Sequence, residues 1–180
     1  MTIQRNIFLV GMPGAGKSTL GKTLAKRLAL NFVDADHELV DKTGVSIATI
    51  FEFEGEAGFR ERESLMLGEL VVRQGIVLAT GGGVVLSPVN RATLQNHGAV
   101  IYLRASLDDL RVRTMRDTKR PLLQTGDPEQ VLRDLLTMRE PLYNEVADVV
   151  VDTGRQAANK LTEIIIDELT ARGLIAPPGN

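Results

Sequence analysis

The residues with the clearest capacity for chemistry stand in one run, Gly11-Met12-Pro13-Gly14-Ala15-Gly16-Lys17-Ser18-Thr19, which has the spacing G-x-x-x-x-G-K-[ST] of a phosphate-binding loop. Its glycines let backbone N–H groups turn inward around a phosphate, and a helix starting behind them adds partial positive charge. Lys17 can reach terminal phosphates, and the Ser18 hydroxyl can ligate Mg²⁺. A glycine-rich turn that merely caps a helix would need neither side chain at that offset. The run predicts binding of a nucleoside triphosphate.

Other residues suit the far side of such a site. Asp34 and Asp36 follow the short stretch Asn31-Phe32-Val33, which puts both at the end of a strand, the edge where ligands bind in parallel sheets. P-loop proteins usually place a carboxylate near Mg²⁺ at the end of another strand. Here that strand, Ile76 to Thr80, runs into Gly81-Gly82-Gly83 with no acid. Asp34 is then the best-placed carboxylate for the metal. Asp36 could hydrogen-bond a substrate hydroxyl and accept its proton. Capping of the following helix is the alternative for both acids.

Three consecutive glycines cost backbone entropy and leave room for a ligand to lie against the chain, whereas a tight turn needs only one. Arg60 could grip a carboxylate with Glu63 one turn on to steady it, though a solvated helix face explains that pair as well. Arg111, Arg113, Arg116, Lys119 and Arg120 precede the turn-rich Thr125-Gly126-Asp127-Pro128, a combination that suits a lid swinging an arginine onto phosphates. Arg139 is a second candidate anion clamp. His37 and His97 have no metal-ligating partners at useful spacing.

The elements that must hold these residues can be read from periodicity. Asn6 to Val10, Asn31 to Asp34, Ile76 to Thr80, Ala99 to Leu103 and Asp148 to Asp152 are short strand-like runs. Helical spacing follows the loop through Leu20, Leu24 and Leu28. Further helices are expected over Asp36 to Lys42 with Gly44 as a stop, from Ser46 to Phe51, from Gly55 to Arg73, and from Ser87-Pro88 to about Asn96. Three more are expected over Leu107 to Met115, Glu129 to Glu145 and Gln156 to Arg172, with a mobile loop from Arg116 to Pro128. Strands alternating with helices predict an α/β fold, an open parallel sheet of five strands covered on both faces. The helices between the second and third strands exceed a simple crossover and suggest an inserted substrate lobe.

Composition narrows the classes further. The chain has 180 residues, 43% of them hydrophobic, which suits one domain with a substantial core. A net charge of −2 argues against nucleic acid as the main partner. There are no cysteines, so disulfides and thiolate chemistry are excluded, and a cytoplasmic location fits. No apolar run approaches the roughly 18 residues of a membrane span. Asn159-Lys160-Leu161-Thr162 lacks the final Asp of a guanine-reading motif, which weighs against a GTP-dependent switch. The residues by themselves lead to a P-loop kinase of a small, anionic, hydroxyl-bearing acceptor. Gluconate kinases and nucleoside monophosphate kinases remain rival readings at this point.

The assembled motifs resemble the shikimate kinase family nearly end to end. They are G-M-P-G-A-G-K-S-T, the D-x-D of Asp34 and Asp36, F-R-x-x-E at Phe59 to Glu63, T-G-G-G at Thr80 to Gly83, R-P-L-L at Arg120 to Leu123, and R-E-P-L-Y-N-E-V-A-D from Arg139 to Asp148. The resemblance implies ATP- and Mg²⁺-dependent phosphorylation of the 3-hydroxyl of shikimate, a step toward chorismate and aromatic amino acids. It implies catalytic roles for Lys17, Asp36 and Arg120, and ATP contacts from Gly14, Ala15, Gly16, Lys17, Ser18, Thr19, Arg120 and Gln156. Shikimate contacts would come from Asp36, Arg60, Gly81, Gly82, Gly83 and Arg139, and one Mg²⁺ would sit on Ser18 and Asp34. It further implies a nucleoside-monophosphate-kinase-like α/β/α fold with sheet order 2-3-1-4-5, a substrate lobe over about 35–62 and a lid over about 113–126. Family members are commonly cytoplasmic monomers without nucleic-acid or membrane partners.

Overall fold

The computed structural model describes residues 5–115 and 126–177. Five short strands form one sheet: β1 (Asn6–Val10), β2 (Asn31–Asp34), β3 (Ile76–Ala79), β4 (Gly98–Arg104) and β5 (Val149–Asp152). The sheet order is β2-β3-β1-β4-β5, and every pairing is parallel. That is the order the resemblance implied.

Among the described residues seven helices accompany the sheet: α1 (Lys17–Leu28), α2 (Ala35–Thr43), α3 (Ile47–Val71), α4 (Pro88–His97), α5 (Leu107–Thr114), α6 (Pro128–Val146) and α7 (Ala158–Ala171). With both faces covered, the central strands need no polar alternation. β1 is buried along its whole length, as is β3, and β4 is buried up to Arg104. Each large apolar side chain so buried contributes about 1.5–3 kcal/mol relative to exposure. The site therefore rests on the stiffest part of the molecule.

Expected and observed elements differ mostly by a residue or two at their ends. One difference matters more. The two helices expected over Ser46 to Phe51 and Gly55 to Arg73 run on as α3, interrupted at Gly55 (φ 70°, ψ −177°). That backbone conformation is open to glycine and strained for other residues, so Gly55 breaks the helix without ending the element. The break separates the amino-terminal part of α3 from the part that carries Arg60 and Glu63. α7 begins at Ala158, which leaves Gln156 in the loop behind β5. The stretch 116–125, including Arg120 and most of the expected lid, lies outside the described residues.

Candidate active site

The loop after β1 takes its shape from its glycines. Gly11, Gly14 and Gly16 have φ of 152°, 84° and 95°. Gly16 caps α1, and the Ala15 N–H closes a tight turn on the Met12 carbonyl at 3.1 Å. At Gly11 a side chain is also excluded by space, because a β-carbon would stand 2.7 Å from the Leu103 carbonyl oxygen of β4. Lys17, 9% exposed, donates to the Gly11 and Met12 carbonyls at 2.7 and 2.9 Å, which folds its ammonium back over the loop. Ser18 and Thr19 are exposed at the start of α1.

The Ser18 hydroxyl donates to Asp34 Oδ2 at 2.6 Å, joining the loop to the end of β2. The other oxygen of Asp34 accepts the His37 backbone N–H at 3.2 Å and caps α2. One oxygen of Asp34 thus caps the helix, the alternative weighed for it, while the other meets Ser18 at the edge of the phosphate loop. Asp36, in the first turn of α2, does not cap and lines the cavity beyond Ser18. Two hard oxygen donors in direct contact at the loop's edge form a donor set suited to Mg²⁺ shared with phosphates. Among the described residues no group of three or more His, Cys, Asp or Glu could hold a metal without such help.

A cavity of about 680 Å³ opens beside Ser18 and reaches Asp36, Arg60 and Arg139. Its floor is Gly81-Gly82-Gly83, behind β3. Thr80 pins the start of that floor by donating its hydroxyl to the Leu9 carbonyl at 2.8 Å. None of the three glycines has a positive φ, so space rather than conformation requires them. A β-carbon at Gly81 would come 2.7 Å from Glu63 Oε2 and 3.2 Å from Asp36 Oδ1. One at Gly82 would meet Pro13 Cδ at 2.8 Å and Arg139 Nη1 at 3.1 Å, and one at Gly83 would overlap the Arg60 guanidinium. The sequence suggests room for a ligand; in the structure the three glycines line the cavity, and side chains of Glu63, Pro13 and Arg60 stand too close to leave space for a β-carbon.

Arg60 bonds Glu63 at 2.9 Å and Glu56 at 3.4 Å, while its ring-side face lies 5.1 Å from the Phe59 ring centroid. Glu63 is 7% exposed, and its Oε2 has no hydrogen-bond partner among the described residues. Burial pushes its carboxyl above the usual range, against the pull of Arg60. Arg139, from α6, is 2% exposed and faces the same cavity. Two guanidiniums lining one cavity with Asp36 can bind an anion by its charge and hold a hydroxyl near the phosphate loop.

Gln156 stands apart from that cavity, exposed in the loop after β5. A contact that sequence reasoning missed links its loop to the P-loop. Arg113 of α5 donates to the Gly14 carbonyl at 3.1 Å and to the Gly154 carbonyl at 3.3 Å. No sequence spacing could reveal a bond across 99 residues. Tyr143 was also missed, although its place four residues after Arg139 puts both on one helix face.

Comparison with known proteins agrees with this geometry. A family model described as shikimate kinase matches residues 13–170. A shikimate kinase of Burkholderia lata is 51% identical over 173 residues, covering 96% of this chain and 94% of its own. One from Bordetella avium is 55% identical over 92% of this chain and 79% of its own. A solved shikimate kinase from Acinetobacter baumannii, in complex with shikimate, superposes with a TM-score of 0.93 at 48% identity and 96% coverage of both chains. These likenesses run unbroken from the phosphate loop through the glycine floor to the last strand, and the chain belongs to the shikimate kinase family.

Proposed function

We propose that this chain transfers the γ-phosphoryl group of ATP to the 3-hydroxyl of shikimate, giving shikimate 3-phosphate and ADP. The observation that carries the reading is the shared cavity: Ser18 of the phosphate loop, Asp36, Arg60 and Arg139 all line it. Family membership supplies the acceptor, and the solved relative from Acinetobacter baumannii is a complex with shikimate.

ATP phosphates bind the N–H groups of Gly14 to Thr19, and Lys17 leaves its loop carbonyls to meet them. Arg120 adds positive charge to the transferring phosphoryl group. Ser18 and Asp34 would hold one Mg²⁺, which when bound offsets phosphate charge. Arg60 and Arg139 fix the acceptor's carboxylate, so that its hydroxyl faces the loop over the floor of Gly81, Gly82 and Gly83. The hydroxyl oxygen forms the new bond to phosphorus as the bond to the β-phosphate oxygen breaks, and Asp36 orients the hydroxyl and takes its proton. The lobe over 35–62 brings the acceptor and the lid over 113–126 excludes water, the competing acceptor.

The protein works as a cytoplasmic monomer on small molecules, with no nucleic-acid or membrane partner. In support, no helix among the described residues is long and apolar enough to cross a membrane. Phosphorus NMR of a mixture of protein, ATP, Mg²⁺ and shikimate tests the reaction. ADP and one new phosphomonoester are expected in equal amounts. ADP with inorganic phosphate alone would contradict the proposal.

A further inference from the structure

Tyr143 takes no part in the chemistry above, yet it is the most confined polar side chain near the cavity. It is 0% exposed, and its ring stacks on Tyr102 of β4 with centroids 4.9 Å apart and planes 29° from parallel. Its hydroxyl donates to the Gly82 carbonyl at 2.5 Å. Gly82 in turn lies beside Arg139, which sits one turn before Tyr143 on α6: a β-carbon on Gly82 would stand 3.1 Å from Arg139 Nη1. The phenol's one proton is thus given to the backbone segment that borders the guanidinium.

The helix between these two residues is weakened. Pro141 lies inside α6 and cannot donate to the carbonyl one turn back, which loosens the segment that carries Arg139. Among the described residues the Nε of Arg139 is buried without a hydrogen-bond partner, so that donor does not fix the guanidinium's rotation. Tyr143 supplies what the interrupted helix lacks, because it ties this turn of α6 to the floor and, through Tyr102, to the buried sheet.

We infer that Tyr143 is a positioning residue for the acceptor's carboxylate, locking Arg139 and the Gly82 backbone into one unit. This rests on the proposed binding of a carboxylate-bearing acceptor at Arg139. With the hydroxyl removed, the ring packing stays but Arg139 and Gly82 are free to drift apart.

The test is Tyr143→Phe, alone and combined with Arg139→Lys, with KM and kcat measured for shikimate and for an acceptor whose carboxylate is replaced by a neutral carboxamide. A hydrogen bond to a neutral carbonyl sets the scale, so KM for shikimate is expected to rise severalfold. KM for ATP should stay within about twofold, and the penalty should vanish with the carboxamide and in the Arg139→Lys background. Equal losses for both acceptors, for ATP, or in both backgrounds would overturn the inference. Absence of turnover by the unsubstituted protein would instead refute the proposed function. Should Tyr143→Phe not fold, nitrogen-labelled arginine in the unsubstituted protein gives a second reading by NMR. Restricted rotation of the Arg139 guanidinium without acceptor is expected, and free rotation would overturn the inference.

Discussion

Asp36→Asn keeps the size of the side chain while removing its capacity to take a proton. kcat should fall by about 10²–10⁴ with ATP affinity unchanged. Steady-state kinetics with a direct nucleotide-binding measurement checks this, and an unchanged kcat would remove Asp36 from the chemistry. Glu63 offers a pH test. Its carboxyl is held above the ordinary 4.5, first by burial and in part by the neighbouring charge of Asp36. The folded state therefore keeps this proton at pH values where the unfolded chain has released it. Stability from this group is fully present below about 4.5 and is lost as pH rises through the folded value. Thermal melting of Glu63→Gln should show a flatter dependence between mild acid and neutrality than the unsubstituted protein. KM for shikimate should rise severalfold as Arg60 loses its 2.9 Å partner, a loss on the scale of one charged hydrogen bond. The trade is a buried acid kept at a cost in stability for the sake of a placed guanidinium.

At the scale of elements, the triple-glycine floor decides how the parts of the site communicate. A β-carbon on Gly82 would meet both Pro13 of the phosphate loop and Arg139, whereas the atoms nearest one on Gly83 belong to Arg60. Gly82→Ala should therefore weaken both ATP and shikimate binding, and Gly83→Ala shikimate alone. KM values for the two substrates separate these outcomes, and matching profiles for the two variants would contradict the assignment. The glycine run was legible in the sequence as something costlier than a turn, but its partners were not. Glu63, Pro13, Arg139 and Arg60 arrive from three separate elements, and only folding brings them to one backbone segment. Arg60 shows the same limit. Its pairing with Glu63 follows from helical spacing, yet the same spacing fits a solvated face until burial distinguishes the two. The phosphate loop was fully legible, because strand, glycine spacing, Lys17 and Ser18 are contiguous and local backbone geometry sets their roles. Arg113 and Tyr143 were illegible because their partners, Gly14, Gly154 and Gly82, are backbone carbonyls, which leave no trace in residue type.

Across the whole molecule, the parallel sheet brings the phosphate loop, the two aspartates and the glycine floor together, while Arg60 and Arg139 reach the same cavity from helices. β1 delivers the phosphate loop, β2 delivers Asp34 and Asp36, and β3 delivers the glycine floor. The strands were readable as unbroken apolar runs because helices bury both faces. Their order also brings β3 beside β1, which sets the acceptor floor next to the donor loop. One cleft that holds both the phosphate loop and an arginine-lined pocket makes shikimate as the acceptor the central proposal. The most direct test is ATP turnover with shikimate, gluconate and AMP offered separately, followed by coupled ADP release. Turnover with shikimate, with little from the other two or from water, is the result the geometry predicts. Faster turnover with gluconate or AMP, or ADP release independent of any acceptor, would contradict it.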